Sequence, residues 1–94
     1  MTALDTRRRR AAYRASHRGT KEMDWLLGRF ADARLADMPE DELERLQRLV
    51  GVPDPHLHSW IMSGGESAEN ELSGLVAEIR AFHGLAPDAG ARAP

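Results

Sequence analysis

The sequence predicts an all-α domain, a compact bundle of five short helices. Apolar residues recur at the i, i+3, i+4, i+7 spacing that lines one face of a helix. No stretch alternates with the period of two that a half-buried strand requires. Glycine and proline punctuate the stripes at the places where helices stop and start.

The first helix is expected over Arg7 to Arg18, a run without Pro or Gly and rich in Ala and Arg. It packs through Ala11, Ala12, Tyr13 and Ala15, leaving Arg7, Arg10, Arg14 and His17 or Arg18 partly in water. Gly19 follows as the residue that takes a left-handed conformation at little cost. The second helix starts at once, with Gly19 or Thr20 as N-cap. Its first turn carries Lys21, Glu22 and Asp24, and its carboxylates suit the positive end of the helix dipole. Met23, Leu26, Leu27, Phe30, Ala31 and Leu35 form its buried stripe. Trp25 falls off that stripe, to seat a neighbouring helix or stand half exposed. Gly28 inside the helix is unfavourable by ~1 kcal/mol relative to Ala, which implies close approach by another helix.

Asp37-Met38-Pro39 opens the third helix, whose apolar side is Leu43, Leu46, Leu49 and Val50. Gly51 and Pro53 stop it. Asp54-Pro55 serves as N-cap and first residue of the fourth, with Leu57, Trp60 and Ile61 inward and Gly64-Gly65 at its end. Ser67 or its neighbours cap the fifth, striped by Leu72, Leu75, Val76, Ile79 and Phe82 and ended by Gly84. The domain is therefore expected over 7–84, with a disordered start (1–6) and a disordered tail (85–94) too poor in apolar residues to pack.

Composition narrows the function. With no cysteine, disulfides, thiolate chemistry and Cys-ligated metals are excluded. No apolar run reaches the ~18 residues of a membrane span, so no membrane insertion is expected. The Arg-rich start shares features with an organellar transit peptide, but it runs straight into the glycine junction and is read as folded. The net charge of −2 hides an asymmetry: residues 1–34 carry +5 and residues 35–94 carry −7. Such polarity orients a protein on a partner.

Catalytic and metal chemistry finds no support in the spacing. His56 and His58, two apart, point to different faces of a helix and cannot make the i, i+4 clamp of a helical metal site. They, His17 and His83 are expected as surface histidines, with no metal. The serines lack a nucleophile elbow, and Gly64-Gly65 lacks the Lys-Ser/Thr of a phosphate loop. No enzyme is expected. The arginine-rich face suits nucleic-acid phosphates, but aromatics for stacking are few and the acidic second half repels a polyanion. A nucleic-acid or regulatory protein-binding module using that face remains the alternative reading.

The junction His17-Arg18-Gly19-Thr20-Lys21-Glu22-Met23-Asp24, with a glycine turn, three or four potential cations and two carboxylates, is the most polar stretch at a helix boundary. Two readings stand: a turn built for folding alone, or Arg18 and Glu22 projecting together on either side of a flat Gly19 as a patch that docks a partner.

"YRASHRGTKEMD" (Tyr13 to Asp24) resembles the signature of the succinate dehydrogenase assembly factor 2 / flavinator family, whose hallmark is Arg-Gly-x-x-Glu at a helix junction. Arg18, Gly19 and Glu22 occupy the hallmark positions. The likeness continues through "LLGRFAD", "PEDELERLQRLV" and "DPHLHSWIM" and covers roughly residues 7–84. The sequence departs from the family pattern at Ala11-Ala12, His17, His56 and His58. The resemblance implies a five-helix bundle that binds the flavoprotein subunit of succinate dehydrogenase, and in bacteria also fumarate reductase. It implies promotion of covalent FAD attachment to a histidine of that subunit, with no cofactor held stably by this chain. The implied docking set is Arg18, Gly19 and Glu22, widened by His17, Lys21, Arg14 and Arg10. Arg18→Ala and Glu22→Ala are expected to lower covalent flavin with thermal stability little changed. A monomer in the bacterial cytoplasm, rather than the mitochondrial matrix, completes the expectation.

Overall fold

The computed structural model describes residues 2–63 and 72–85. Among them the chain forms five α-helices: α1 (Ala3–Ser16), α2 (Lys21–Arg34), α3 (Glu40–Leu49), α4 (Asp54–Ser63) and α5 (Ser73–Phe82). A single 3-10 turn, Leu35–Asp37, extends α2. The all-α expectation holds for these residues, which contain no strand.

The first helix begins at Ala3, a full turn before Arg7. Thr2 and Asp5 form a capping box: the Asp5 amide donates to Thr2 Oγ1 at 3.0 Å, and the Thr2 amide donates to Asp5 Oδ2 at 3.3 Å. Two orphan amides are thereby satisfied and the helix is fixed at its start. Residues 2–6 are therefore helix and cap rather than the disordered lead expected, and Leu4 packs against the core. Arg7, which the sequence left partly in water, is put to structural use, and so is Arg8. Arg7 donates to Gln47 Oε1 (2.8 and 3.2 Å) and to Glu40 Oε2 (2.9 Å), and Arg8 donates to the Met38 carbonyl at 3.0 Å. The Arg7 contacts tie α1 to α3, and the Arg8 contact ties it to the residue that follows the 3-10 turn.

α1 and α2 pack most extensively. They run antiparallel, with Ser16 against Gly28 and Arg8 and Ala12 beside Ala31 and Leu35. A Cβ on Gly28 would lie 3.1 Å from Ser16 Cβ and 3.3 Å from its Cα, so the glycine marks the close approach its position predicted. Because Ser16 ends α1 opposite Gly28, the first two turns of α2 overrun α1. They meet α4 and α5 instead, through His58 and His83. That overhang carries the junction stretch.

The stripes converge on one core in which Leu27, Phe30, Leu43, Leu46, Leu57 and Ile79 are sealed from solvent. Three residues expected to pack inward differ from expectation. Tyr13 is 63% exposed on α1. Phe82 is exposed, standing edge-on to Phe30 at 5.7 Å with the Arg34 guanidinium 5.9 Å from its ring. Trp60 is only partly buried. Gly84 has φ +76 and ends α5 as expected. Leu85, assigned to the tail, packs against the core. Gly64-Gly65, the Ser67 cap and residues 86–94 of the expected tail lie outside the described residues.

Candidate functional site

The corner between α1 and α2 is held by three local devices. His17 closes α1, and Gly19 turns the chain with φ +115. Thr20 is the N-cap of α2, its hydroxyl accepting from the Met23 amide at 3.2 Å. Asp24 reaches back from the first turn, and its Oδ1 accepts from the Arg18 amide and, at 3.3 Å, from the Gly19 amide. A carboxylate gripping two successive amides leaves the turn little freedom.

Arg18 points inward, against the expectation that it projects. Its Nε and Nη2 donate to Asp54 Oδ1 at 2.8 and 2.6 Å, Nη2 to the Val52 carbonyl at 2.7 Å, and Nη1 to the Val50 carbonyl. The side chain is 9% exposed. The guanidinium thus latches the α1–α2 corner to the α3–α4 corner, satisfying carbonyls left over where α3 ends. Asp54 sits inside α4, whose first amides bond to the Pro53 carbonyl. It is therefore a partner for Arg18 and not the N-cap that the sequence suggested.

Glu22 behaves in the opposite way. It is 57% exposed, and its Oε1 pairs with His58 Nε2 at 3.1 Å on an equally wet surface. Arg18 and Glu22 are four apart, as are Asp54 and His58, so Arg18 and Glu22 both dock on one face of α4. Between them Gly19 is open: nothing lies within 4 Å of where a Cβ would be.

The other expected residues form a neighbouring strip. Arg10, Tyr13, Arg14 and His17 share one face of α1 by helical spacing. The His17 ring stacks on Tyr13 with centroids 4.0 Å apart, and its Nδ1 lies 2.9 Å from the Tyr13 carbonyl. Arg10 and Tyr13 line an open groove of about 500 Å³ with Thr6, Arg9 and Arg14. Arg14 and His17 also border a second groove, of about 420 Å³, above the Arg18–Asp54 pair. Lys21 is exposed on the overhang. The set is therefore brought together, except that Arg18 underlies the surface instead of forming it.

The sequence placed Asp24 in the junction without revealing its grip on the turn, and it gave Asp54 and His58 no part in the site. The signal was present in the matched i, i+4 pairs 18/22 and 54/58, but only knowledge that α4 faces the junction gives it meaning. His83, expected on the surface, is half-buried and holds the Leu26 carbonyl at 2.7 Å through Nε2. Among the described residues no group of three or more His, Cys, Asp or Glu is placed to hold a metal. No described helix is long and apolar enough to cross a membrane.

Comparison with known proteins adds to this geometry. A family profile described as "Flavinator of succinate dehydrogenase" matches residues 9–83. Among curated relatives, the FAD assembly factor SdhE of Acetobacter pasteurianus is 43% identical over 58 residues, covering 62% of this chain and 53% of its own. The FAD assembly factor SdhE of Legionella pneumophila (strain Paris) is 32% identical over 77 residues, covering 82% of this chain and 96% of its own. The mitochondrial succinate dehydrogenase assembly factor 2 of Dictyostelium discoideum is 30% identical over 69 residues, 73% of this chain and 49% of its own. The chain thus spans about half the length of the first and last of these and nearly all of the Legionella protein. No solved structure matches. The profile takes in the Arg18–Gly19–Glu22 corner and both of its α4 partners, and with it this chain belongs to the flavinator of succinate dehydrogenase family.

Proposed function

We propose that this chain is an assembly factor that docks on the flavoprotein subunit of succinate dehydrogenase, and in bacteria also of fumarate reductase, and promotes covalent attachment of FAD. The observation that carries the reading is the corner itself. A fixed turn presents Gly19, open above its Cα, beside the exposed Glu22 carboxylate, within the span the family profile matches.

The roles follow from burial. Gly19 admits the partner's backbone closely, because no side chain stands in the way. Glu22 accepts hydrogen bonds from the partner, and His58 restrains it. Arg18 is a positioning residue that holds the corner through Asp54. Arg10, Arg14, His17 and Lys21 widen the contact and steer an acidic partner surface. The flavin supplies its own reactivity, and the flavoprotein supplies the histidine that becomes linked. The assembly factor's part is to favour the arrangement in which those two groups meet, and then to leave. It works as a chaperone, not as an enzyme, and holds no flavin stably itself. The proposed setting is the bacterial cytoplasm, with the chain acting as a monomer. Two arginines of α1 are already engaged, Arg7 with α3 and Arg8 with the Met38 carbonyl just before it, which weakens the alternative of a nucleic-acid grip along that helix.

Complementation tests the reading in cells lacking this protein, with covalent flavin on the succinate dehydrogenase subunit read by in-gel fluorescence. Wild-type chain restores the signal, Glu22→Ala lowers it, and Gly19→Arg abolishes it while the purified variant stays helical. Full flavinylation by both variants defeats the proposal.

A further inference from the structure

One turn along α2 from Glu22 the surface becomes aromatic. Trp25 stands half out of the helix, 49% exposed. It is not loose: its ring lies against the His83 imidazole with centroids 4.5 Å apart. His83 is pinned in turn, because a carbonyl can only accept and the 2.7 Å contact to Leu26 O therefore fixes the proton on Nε2. Phe82, also exposed, stands edge-on to the same imidazole at 5.0 Å. Arg29 borders the cluster, and the four residues line an open groove of about 270 Å³. Arg29 is exposed and makes no hydrogen bond or ion pair among the described residues.

Glu22, Trp25 and Arg29 fall at i, i+3 and i+7, which share one face of a helix. At ~1.5 Å of rise per residue the strip from carboxylate to guanidinium is about 10 Å long. It is continuous with the Gly19–Glu22 corner and lies largely on the part of α2 that overruns α1. An indole fixed by a pinned neighbour has little freedom left to lose when covered. Trp and Arg are also the residues that dominate binding energy at protein interfaces.

We infer that Trp25, Phe82 and Arg29 form a second contact for the flavoprotein, joined to the corner along α2. Its occupant is a segment of that subunit presenting an apolar side chain to the Trp25 ring and a carboxylate to Arg29. The inference rests on the docking reading above and adds a partner chemistry to it: the corner offers a carboxylate, whereas this shelf offers an aromatic face and a cation.

Calorimetric titration of the full chain against the purified flavoprotein subunit tests it, with Gly19→Arg as the reference. Trp25→Ala is expected to raise Kd about 10-fold or more. Arg29→Glu is expected to raise it by a similar factor, with a loss that shrinks as salt is added. Wild-type affinity in both variants, with Gly19→Arg failing to bind, overturns the shelf and leaves the docking reading intact. Absence of binding by the wild type overturns both. Hydroxyl-radical footprinting of the unmutated complex serves if Trp25→Ala unfolds the chain. Oxidation of Trp25 and Phe82 should fall several-fold on binding, and undiminished oxidation overturns the inference. A concentration-dependent dimer that Trp25→Ala abolishes would assign the shelf to a second copy of this chain, and also overturns it.

Discussion

Arg18 and Glu22 are four residues apart and pair with two residues of α4 that are also four apart, yet the two pairs differ in physics. The Arg18 pair is nearly sealed, with a guanidinium spreading its donors over one carboxylate and two carbonyls. The Glu22 pair is wet on both sides. Removing one member of a sealed pair strands the rest away from water, whereas a wet pair returns to solvent at almost no loss. One end of the corner is thus built for rigidity, and the other stays open to solvent, as the proposed docking role of Glu22 requires. Two charged residues that look equivalent on paper thus differ in burial, one latched and one exposed.

Several substitutions test this division. The largest effect is expected from Arg18→Ala, which strands Asp54 and the carbonyls of Val50 and Val52. A loss of about 2–4 kcal/mol is expected, below the full figure for a buried pair because Asp54 is partly wet. Urea unfolding checks it, and in a chain this size Tm should fall by about 10 °C or more. A loss under ~1 kcal/mol would erase the contrast between the two ends. Here the structure revises the sequence-based expectation that this variant changes thermal stability little.

Gly19→Arg comes next. The space above Gly19 is open but its φ is +115, so the penalty is backbone strain alone, about 1–3 kcal/mol. The variant should remain folded by circular dichroism and fail to bind. Arg18→Lys sharpens the comparison further. A lysine keeps the charge but loses the planar fork, and a loss of about 1–2 kcal/mol is expected, with flavinylation falling only as far as the corner loosens. Smallest is the coupling between Glu22 and His58. A double-mutant cycle with Glu22→Ala and His58→Ala should return no more than ~0.5 kcal/mol in stability, while Glu22→Ala alone impairs flavinylation. Coupling above ~1.5 kcal/mol would make Glu22 a second latch.

Most of the fold was legible because burial writes itself locally. The stripes of α2 and α3 and the demand of Gly28 for a close neighbour follow from spacing within one helix. The start of α1 was missed because a Thr2–Asp5 box, with only Leu4 apolar beside it, leaves no stripe to read. Phe82 has the right spacing for the core but is the last residue of α5, where among the described residues it meets only the edge of the core, at Phe30. The direction of Arg18 was illegible for a different reason: a long cation can reach water or a buried carboxylate, and its partners are 32 to 36 residues away. The location of the site was local information, and the division of labour within it was not.

The two pairings at the corner each span 36 residues, and this separation governs when the corner can exist. A chain still emerging from synthesis, or one opened at α4, has Arg-Gly-x-x-Glu in its sequence but nothing to set its shape. Contacts of such range assemble late, once intervening loops have closed. An unfinished copy therefore carries the motif without the corner, and any contact that the folded corner makes waits on the closure of α4.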